Sequence, residues 1–137
     1  MNIYFACSIT GGREFESVYR EIVDALIADG HQIPTSHLAQ SEVIEKEGII
    51  SPRDVYARDV NWIEHCDTLI AEVSVPSHGV GYEIAYALQL GKPVLCLYQE
   101  GRKISKMITG NSDHLLNVES YSDTKQAIQK ARGFLTK

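Results

Sequence analysis

The sequence predicts an α/β fold, a single doubly wound domain over residues 1–137 that is built on a five-stranded parallel sheet. Short apolar runs without polar alternation recur along the chain, as in parallel strands that are buried on both faces. Amphipathic helical segments alternate with these runs, and the connections are short. With 137 residues, 44% of them hydrophobic, one such domain can bury an adequate core. The pattern is typical of Rossmann-like and flavodoxin-like domains.

The five predicted strands share short apolar composition bounded by turn residues. They are Asn2–Cys7, His31–Thr35, Thr68–Val73, Val94–Tyr98 and Leu115–Glu119.

The predicted helices follow from apolar residues that recur at three- and four-residue steps. They cover Glu14–Asp29, a segment that begins at Ser51-Pro52, Tyr82–Leu90, and Ser122 to Leu135. Ser51 is a strong N-cap candidate, with Pro52 in the first helical position. The polar stretch Ser36–Ile50, with a short helix near Ser41–Lys46, is a candidate lid.

Composition excludes several function classes. The net charge is −5, and the basic residues are scattered, which disfavours binding of a nucleic-acid polymer. Cys7, Cys66 and Cys96 lie far apart, so neither a disulfide framework nor a metal site is expected, and reduced thiols favour the cytoplasm. No apolar run approaches membrane-spanning length, so a soluble protein is predicted. No cofactor is expected.

Three segments with unusual residues follow predicted strands, at the sheet edge where such folds bind ligands. They are Ser8–Arg13, Ser74–Glu83 and Tyr98–Met107. The first places two glycines before a helix, so its amides can turn toward a phosphate. It lacks the Gly-Lys-Ser/Thr ending of a P-loop and the three-glycine spacing of a dinucleotide site.

Two acids are candidates for chemistry. Glu83 follows Gly79-Val80-Gly81 at the start of a predicted helix, where an acid also commonly complements the helix dipole. Asp59 lies on the inner face of the preceding helix, where it has Arg58 and Arg53 as possible ion-pair partners. A pair of carboxyl groups is what glycosidic cleavage needs, because one attacks the sugar and the other protonates the leaving group.

Several strings together resemble one family. Residues 3–14, Ile-Tyr-Phe-Ala-Cys-Ser-Ile-Thr-Gly-Gly-Arg-Glu, are similar to the opening of the 2′-deoxynucleoside 5′-phosphate N-hydrolases, in the nucleoside 2-deoxyribosyltransferase superfamily. Residues 58–62, 95–98 and 105–108 extend the resemblance. The most specific piece is Pro-Ser-His-Gly-Val-Gly-Tyr-Glu at 76–83.

The resemblance implies roles for particular residues. Glu83 would be the nucleophile that attacks C1′, Asp59 the proton donor to the base, and Tyr4 the residue that orients the nucleophile. The family would be homodimeric, with Ser105 of the partner subunit contacting the phosphate beside Lys106 and Met107. The remaining substrate contacts would be Cys7, Ser8, Ile9, Thr10, Gly11, Gly12, Arg13, Tyr19, His37, Ser77 and Gly79.

Alternatives remain open. A nucleoside 2-deoxyribosyltransferase would use the same glutamyl ester but pass the sugar to a second base. A ribonucleotide N-glycosidase and a non-catalytic nucleotide-binding module are further possibilities. The glycine turn, Ser77 and Ser105 favour a substrate with a 5′-phosphate. The preferred base does not follow from the sequence.

Overall fold

A computed structural model describes residues 1–9 and 14–137 and contains a parallel sheet of four strands. The strands are β1 (Ile3–Ala6), β2 (Thr68–Glu72), β3 (Val94–Gln99) and β4 (Leu116–Tyr121). They lie side by side in chain order, and every neighbouring pair is parallel. The predicted α/β class and the parallel sheet are confirmed.

The connections between strands are helical. The helices are α1 (Glu16–Ala28), a short 3₁₀ turn (Ser36–Ala39), α2 (Val43–Gly48), α3 (Pro52–His65), α4 (His78–Gln89), α5 (Lys106–Thr109) and α6 (Thr124–Leu135).

Each face of the sheet is covered by a separate layer. Ile3 and Phe5 point into a cluster that contains buried residues of α1 and α6. Tyr4 and Ala6 point the other way, into a cluster that contains Ile63 of α3 and buried residues of α4. This division follows from the strand period of two, which sends successive side chains to opposite faces. Tyr4 therefore faces the two helices that carry the candidate acids.

The prediction of a strand at His31–Thr35 is wrong, and in the described residues the sheet has four strands rather than five. The segment forms only an isolated parallel bridge between Asn2 and Gln32. Two features stop the pairing there. Pro34 has no N–H to donate, and the Phe5 amide donates instead to the Thr35 hydroxyl oxygen, at 2.9 Å.

The starts of α3 and α4 are set by serine caps. Ser51 Oγ accepts from the Asp54 amide with Pro52 in the first position, as the sequence predicts. Helix α4 starts four residues earlier than predicted, at His78, because Ser77 Oγ accepts from the Val80 amide. Glu83 consequently lies in the second turn of α4. The dipole explanation for Glu83 is weakened, since that effect falls off within the first turn.

The three cysteines are buried, and Cys66 and Cys96 pack in the cluster on the α3 and α4 face. Within residues 1–9 and 14–137, no helix is both long and apolar enough to cross a bilayer. In the same described part of the chain, no cluster of three or more His, Cys, Asp or Glu side chains is arranged to hold a metal ion.

Candidate active site

The centre of the candidate site is a contact between the sheet and α4. The Tyr4 hydroxyl, on β1, donates a hydrogen bond to Glu83 Oε2 on α4. Tyr4 is completely buried. Burial and the nearby Glu83 carboxylate raise the pKa of Tyr4 above its usual range, so the phenol stays protonated and acts as a donor.

A cavity of about 470 Å³ opens beside this contact between α3 and α4. Asp59 and Glu83 both line it, one from each helix. The α3 wall is built from residues at three- and four-residue spacing, which places them on one face of the helix. The remaining walls are mostly apolar or aromatic. Besides the two acids, the lining residues are Glu47, Ile50, Pro52, Val55, Tyr56, Val60, Ile63, Gly79 and Tyr82.

The Glu83 carboxyl carries an unusual proton affinity. Burial raises its pKa from 4.5 to about 7, and the charge of Asp59 acts in the same direction. The hydrogen bond from Tyr4 and the charge of Arg58 oppose this rise, because both favour the ionised form. Glu83 can therefore change its protonation state near neutral pH, as an acid–base or nucleophilic group requires.

Asp59 sits in a charged network at the other side of the cavity. Its Oδ1 accepts from Arg58 Nε at 2.9 Å, so the ion pair that the sequence offered as an alternative does form. Burial nevertheless raises the pKa of the Asp59 carboxyl, although Arg58 counteracts that shift. Arg58 also pairs with Glu47, which in turn contacts His37 Nε2 at 2.8 Å. The pKa of Asp59 therefore stays above its usual value in spite of the contact with Arg58.

Ser77 and Gly79 lie next to Glu83. A Cβ added at Gly79 would stand 3.8 Å from Glu83 Oε1 and 4.0 Å from Ser77 Oγ. A side chain at position 79 would therefore contact both Glu83 and Ser77. Four of the residues predicted from the sequence therefore lie close together here, namely Tyr4, Ser77, Gly79 and Glu83.

Ser105, Lys106 and Met107 lie in a second groove, of about 820 Å³, on the other side of Tyr82. Ser77 lines this groove too, so two of the serines expected to contact phosphate share it. Ser105 caps α5 by accepting from the Met107 amide at 3.2 Å, and the Met107 side chain is 84% exposed.

Other predicted contacts are placed differently. Tyr19 is fully buried in the α1 and α6 layer, edge-on to Phe5, on the opposite face of the sheet from Glu83. Cys7 and Ser8 are buried beyond the end of β1, followed by the partly buried Ile9. The predicted contacts at Thr10, Gly11, Gly12 and Arg13 lie outside the described residues.

Sequence reasoning missed Glu47, Tyr56 and Tyr82. Tyr56 occurs one turn before Asp59, so helical spacing could have indicated its place in the cavity. Glu47 gives no such signal, because its contact with Arg58 joins two separate helices.

The family of the chain follows from comparison with known proteins. The model of the nucleoside 2-deoxyribosyltransferase family matches residues 3–126. The chain belongs to that family.

Members of the nucleoside 2-deoxyribosyltransferase family with similar sequences include nucleotide hydrolases. A Methanosarcina mazei protein named "Putative 2′-deoxynucleoside 5′-phosphate N-hydrolase 1" is 43% identical over 129 residues, covering 94% of this chain and 80% of the relative. The 5-hydroxymethyl-dUMP N-hydrolase of Rattus norvegicus is 41% identical over 116 residues, covering 82% of this chain and 71% of the relative.

A solved structure shares the fold of this nucleoside 2-deoxyribosyltransferase family member. The CMP N-glycosidase of Clostridium botulinum superposes with a TM-score of 0.73 at 21% identity, covering 96% of this chain and 98% of the other.

Glu83→Gln should stabilise the folded protein at about pH 8 and lose this advantage in acid. A carboxyl whose pKa rises from 4.5 to about 7 on folding stabilises the fold fully below 4.5, and this contribution is lost as the pH rises to 7. Ionised Glu83 then lowers the free energy of unfolding by up to about 3 kcal/mol. The amide keeps an acceptor for Tyr4. Urea unfolding of both proteins at about pH 4.5 and pH 8 measures the difference.

Glu45→Gln, at an exposed position on α2, is the matched control and should leave both values unchanged. If the advantage of Glu83→Gln were the same at both pH values, folding would leave the pKa of Glu83 unchanged.

Proposed function

We propose that this protein hydrolyses the N-glycosidic bond of 2′-deoxynucleoside 5′-monophosphates, giving a free nucleobase and 2-deoxyribose 5-phosphate. The observation that carries the proposal is the partly buried Glu83 side chain, which receives a hydrogen bond from Tyr4 and shares its cavity with Asp59. The N-hydrolases among its relatives support this reaction and substrate class. We also propose a cytoplasmic location, where buried thiols such as Cys66 and Cys96 stay reduced.

The reaction has two steps. The ionised Glu83 attacks C1′ of the deoxyribose while protonated Asp59 gives its proton to the departing base, so the C1′–N bond breaks and an ester forms. Water then attacks C1′ of the ester, and Asp59, now a carboxylate, takes the proton from that water. Glu83 is released as a carboxylate and Asp59 regains its proton, which restores the starting state.

Each side chain has a physical reason to act in this way. Tyr4 holds one oxygen of Glu83 and favours the ionised form, which leaves the other oxygen to attack. Burial favours the protonated form of Asp59, which is the form that a proton donor needs. The mostly apolar cavity, lined by Tyr56 and Tyr82, accommodates a flat base.

The 5′-phosphate is assigned to the start of α4, at Ser77. Ser77 begins α4, a helix of 12 residues whose first amides carry partial positive charge.

Glu83→Ala should abolish release of free base, with a loss of about a thousandfold or more, because no other group can form the ester. Chromatography of each deoxynucleotide after incubation with the protein measures the loss. Glu21→Ala, at an exposed position on α1, should keep full activity. A well-folded Glu83→Ala protein with near-wild-type turnover would contradict the assignment.

Removing the 5′-phosphate from the substrate should lower kcat/KM by about a thousandfold or more, since each charge-assisted hydrogen bond contributes about 1.5–3 kcal/mol. Deoxyguanosine monophosphate and deoxyguanosine make the comparison. Equal specificity constants would favour the transferase alternative, which acts on unphosphorylated nucleosides.

We propose further that the enzyme is a homodimer in which Ser105 completes the site of the partner subunit. The exposed Met107 beside it supports a surface that another chain covers. In a symmetric dimer, mixing Glu83→Ala with Ser105→Trp places both defects in one site and neither in the other. Random mixing gives about half mixed dimers, so roughly a quarter of wild-type activity should return.

Each variant alone, taken through the same mixing procedure, is the control and should remain inactive. If mixed dimers form and no activity returns, Ser105 acts within its own chain.

A further inference from the structure

The Arg58 guanidinium lies between two carboxylates that belong to different helices. Its terminal nitrogens donate to the two oxygens of Glu47 on α2, at 2.8 and 3.3 Å. Its Nε donates to Oδ1 of Asp59 at 2.9 Å. The guanidinium carbon also stands 4.8 Å from the centroid of the Trp62 ring. All three contacts fix the plane of the guanidinium.

This geometry is not one that α3 produces by itself. Consecutive residues on a helix do not face each other, so Arg58 reaches Asp59 only when its side chain folds back along the helix. The paired hydrogen bonds to Glu47 and the contact with the Trp62 ring hold it there. His37, in the 3₁₀ turn, contacts the Glu47 carboxylate. The His37 ring lies edge-on to the Trp62 ring, with centroids 5.9 Å apart.

We infer that Glu47 and Arg58 are positioning residues for the proton donor, with Glu47 holding the guanidinium so that it gives Asp59 one hydrogen bond at one oxygen. The inference rests on the proposed role of Asp59 and adds to it two residues from outside the expected set. Within the described part of the chain, Oδ2 of Asp59 receives no hydrogen bond. That oxygen is available to carry the proton that passes to the leaving base.

The charges around Asp59 determine how each change should act. Burial raises the pKa of Asp59, and Glu47 acts in the same direction, whereas Arg58 and His37 lower it. From α4, Glu83 is coupled to Asp59 by charge, and Tyr4 lies behind Glu83. Glu47 therefore offsets the positive charge of Arg58 and helps Asp59 to keep its proton.

The test is the pH dependence of kcat/KM for base release, in which the loss of activity at high pH reports deprotonation of the acid. Glu47→Gln removes a negative charge while keeping an acceptor for Arg58, so the high-pH limb should move to lower pH by about one unit or less. Arg58→Gln removes the positive charge and should move the same limb to higher pH. Opposite displacements are the expected signature, since a merely structural defect lowers the whole profile without moving it.

Matched controls carry the same changes of charge away from this network. Glu45 on α2 and Arg53 on α3 are exposed. Glu45→Gln and Arg53→Gln should therefore leave the pH profile of kcat/KM in place. Arg58→Lys keeps the charge and should leave the limb near its wild-type position. If Arg58→Gln does not fold, a limb that moves to lower pH in Glu47→Gln but stays in place in Glu45→Gln and Arg58→Lys supports the inference, and a limb that stays in place in Glu47→Gln overturns it.

Two failures can be told apart. If Glu83→Ala and Asp59→Asn lose base release but the limb stays fixed in Glu47→Gln and Arg58→Gln, or moves the same way in both, the inference about Glu47 and Arg58 is overturned and the reaction stands. If Glu83→Ala or Asp59→Asn keeps wild-type release, the proposed reaction is wrong, and the inference fails with it.

Discussion

The hydrogen bond from Tyr4 to Glu83 spans 79 positions of the chain and connects β1 of the sheet to α4. It depends on two separate features of the sequence. The strand period turns Tyr4 toward α3 and α4, and the Ser77 cap starts α4 early enough to bring Glu83 to the sheet in its second turn. A shift of either element by one residue would separate the two groups.

Opposing effects act on the ionisation of Glu83 at its contact with Tyr4. The proposed attack on the sugar requires an ionised Glu83, but burial favours the neutral form of a carboxyl group. Tyr4 and Arg58 reduce the cost of ionising Glu83 without removing it, and the pKa remains near 7. A loss of stability of this kind is typical of functional sites, where activity is favoured over maximum stability. Asp59 has the opposite requirement, because the proposed proton donor must start protonated. Burial meets this requirement by helping Asp59 to keep its proton.

The parts of the fold that the sequence predicts correctly are those that local patterns determine. Four apolar runs became the parallel strands, and Ser51-Pro52 marked the start of α3. The strand expected at His31–Thr35 failed because apolar character does not reveal that Pro34 and the Thr35 hydroxyl interrupt the pairing.

The site shows the same division between local and long-range information. The residue pattern singled out Asp59 and Glu83, and the family resemblance added Tyr4 and the roles of all three. The structure gathers them at one cavity and its edge. The pairing of Glu47 with Arg58 has no periodic signature, because it depends on how α2 packs beside α3. Tyr19, expected to contact substrate, is instead buried in the opposite layer, where it packs against Phe5.

The most direct measurement of the central claim is the mass of the protein after incubation with a 2′-fluoro analogue of a deoxynucleoside monophosphate. Fluorine at C2′ slows both steps, so the ester should accumulate. Digestion and peptide mass analysis should then find one fluorinated sugar phosphate on the peptide that contains Glu83, and none in the Glu83→Ala protein. Release of base without any adduct in the wild type, or an adduct on a different residue, would contradict the account.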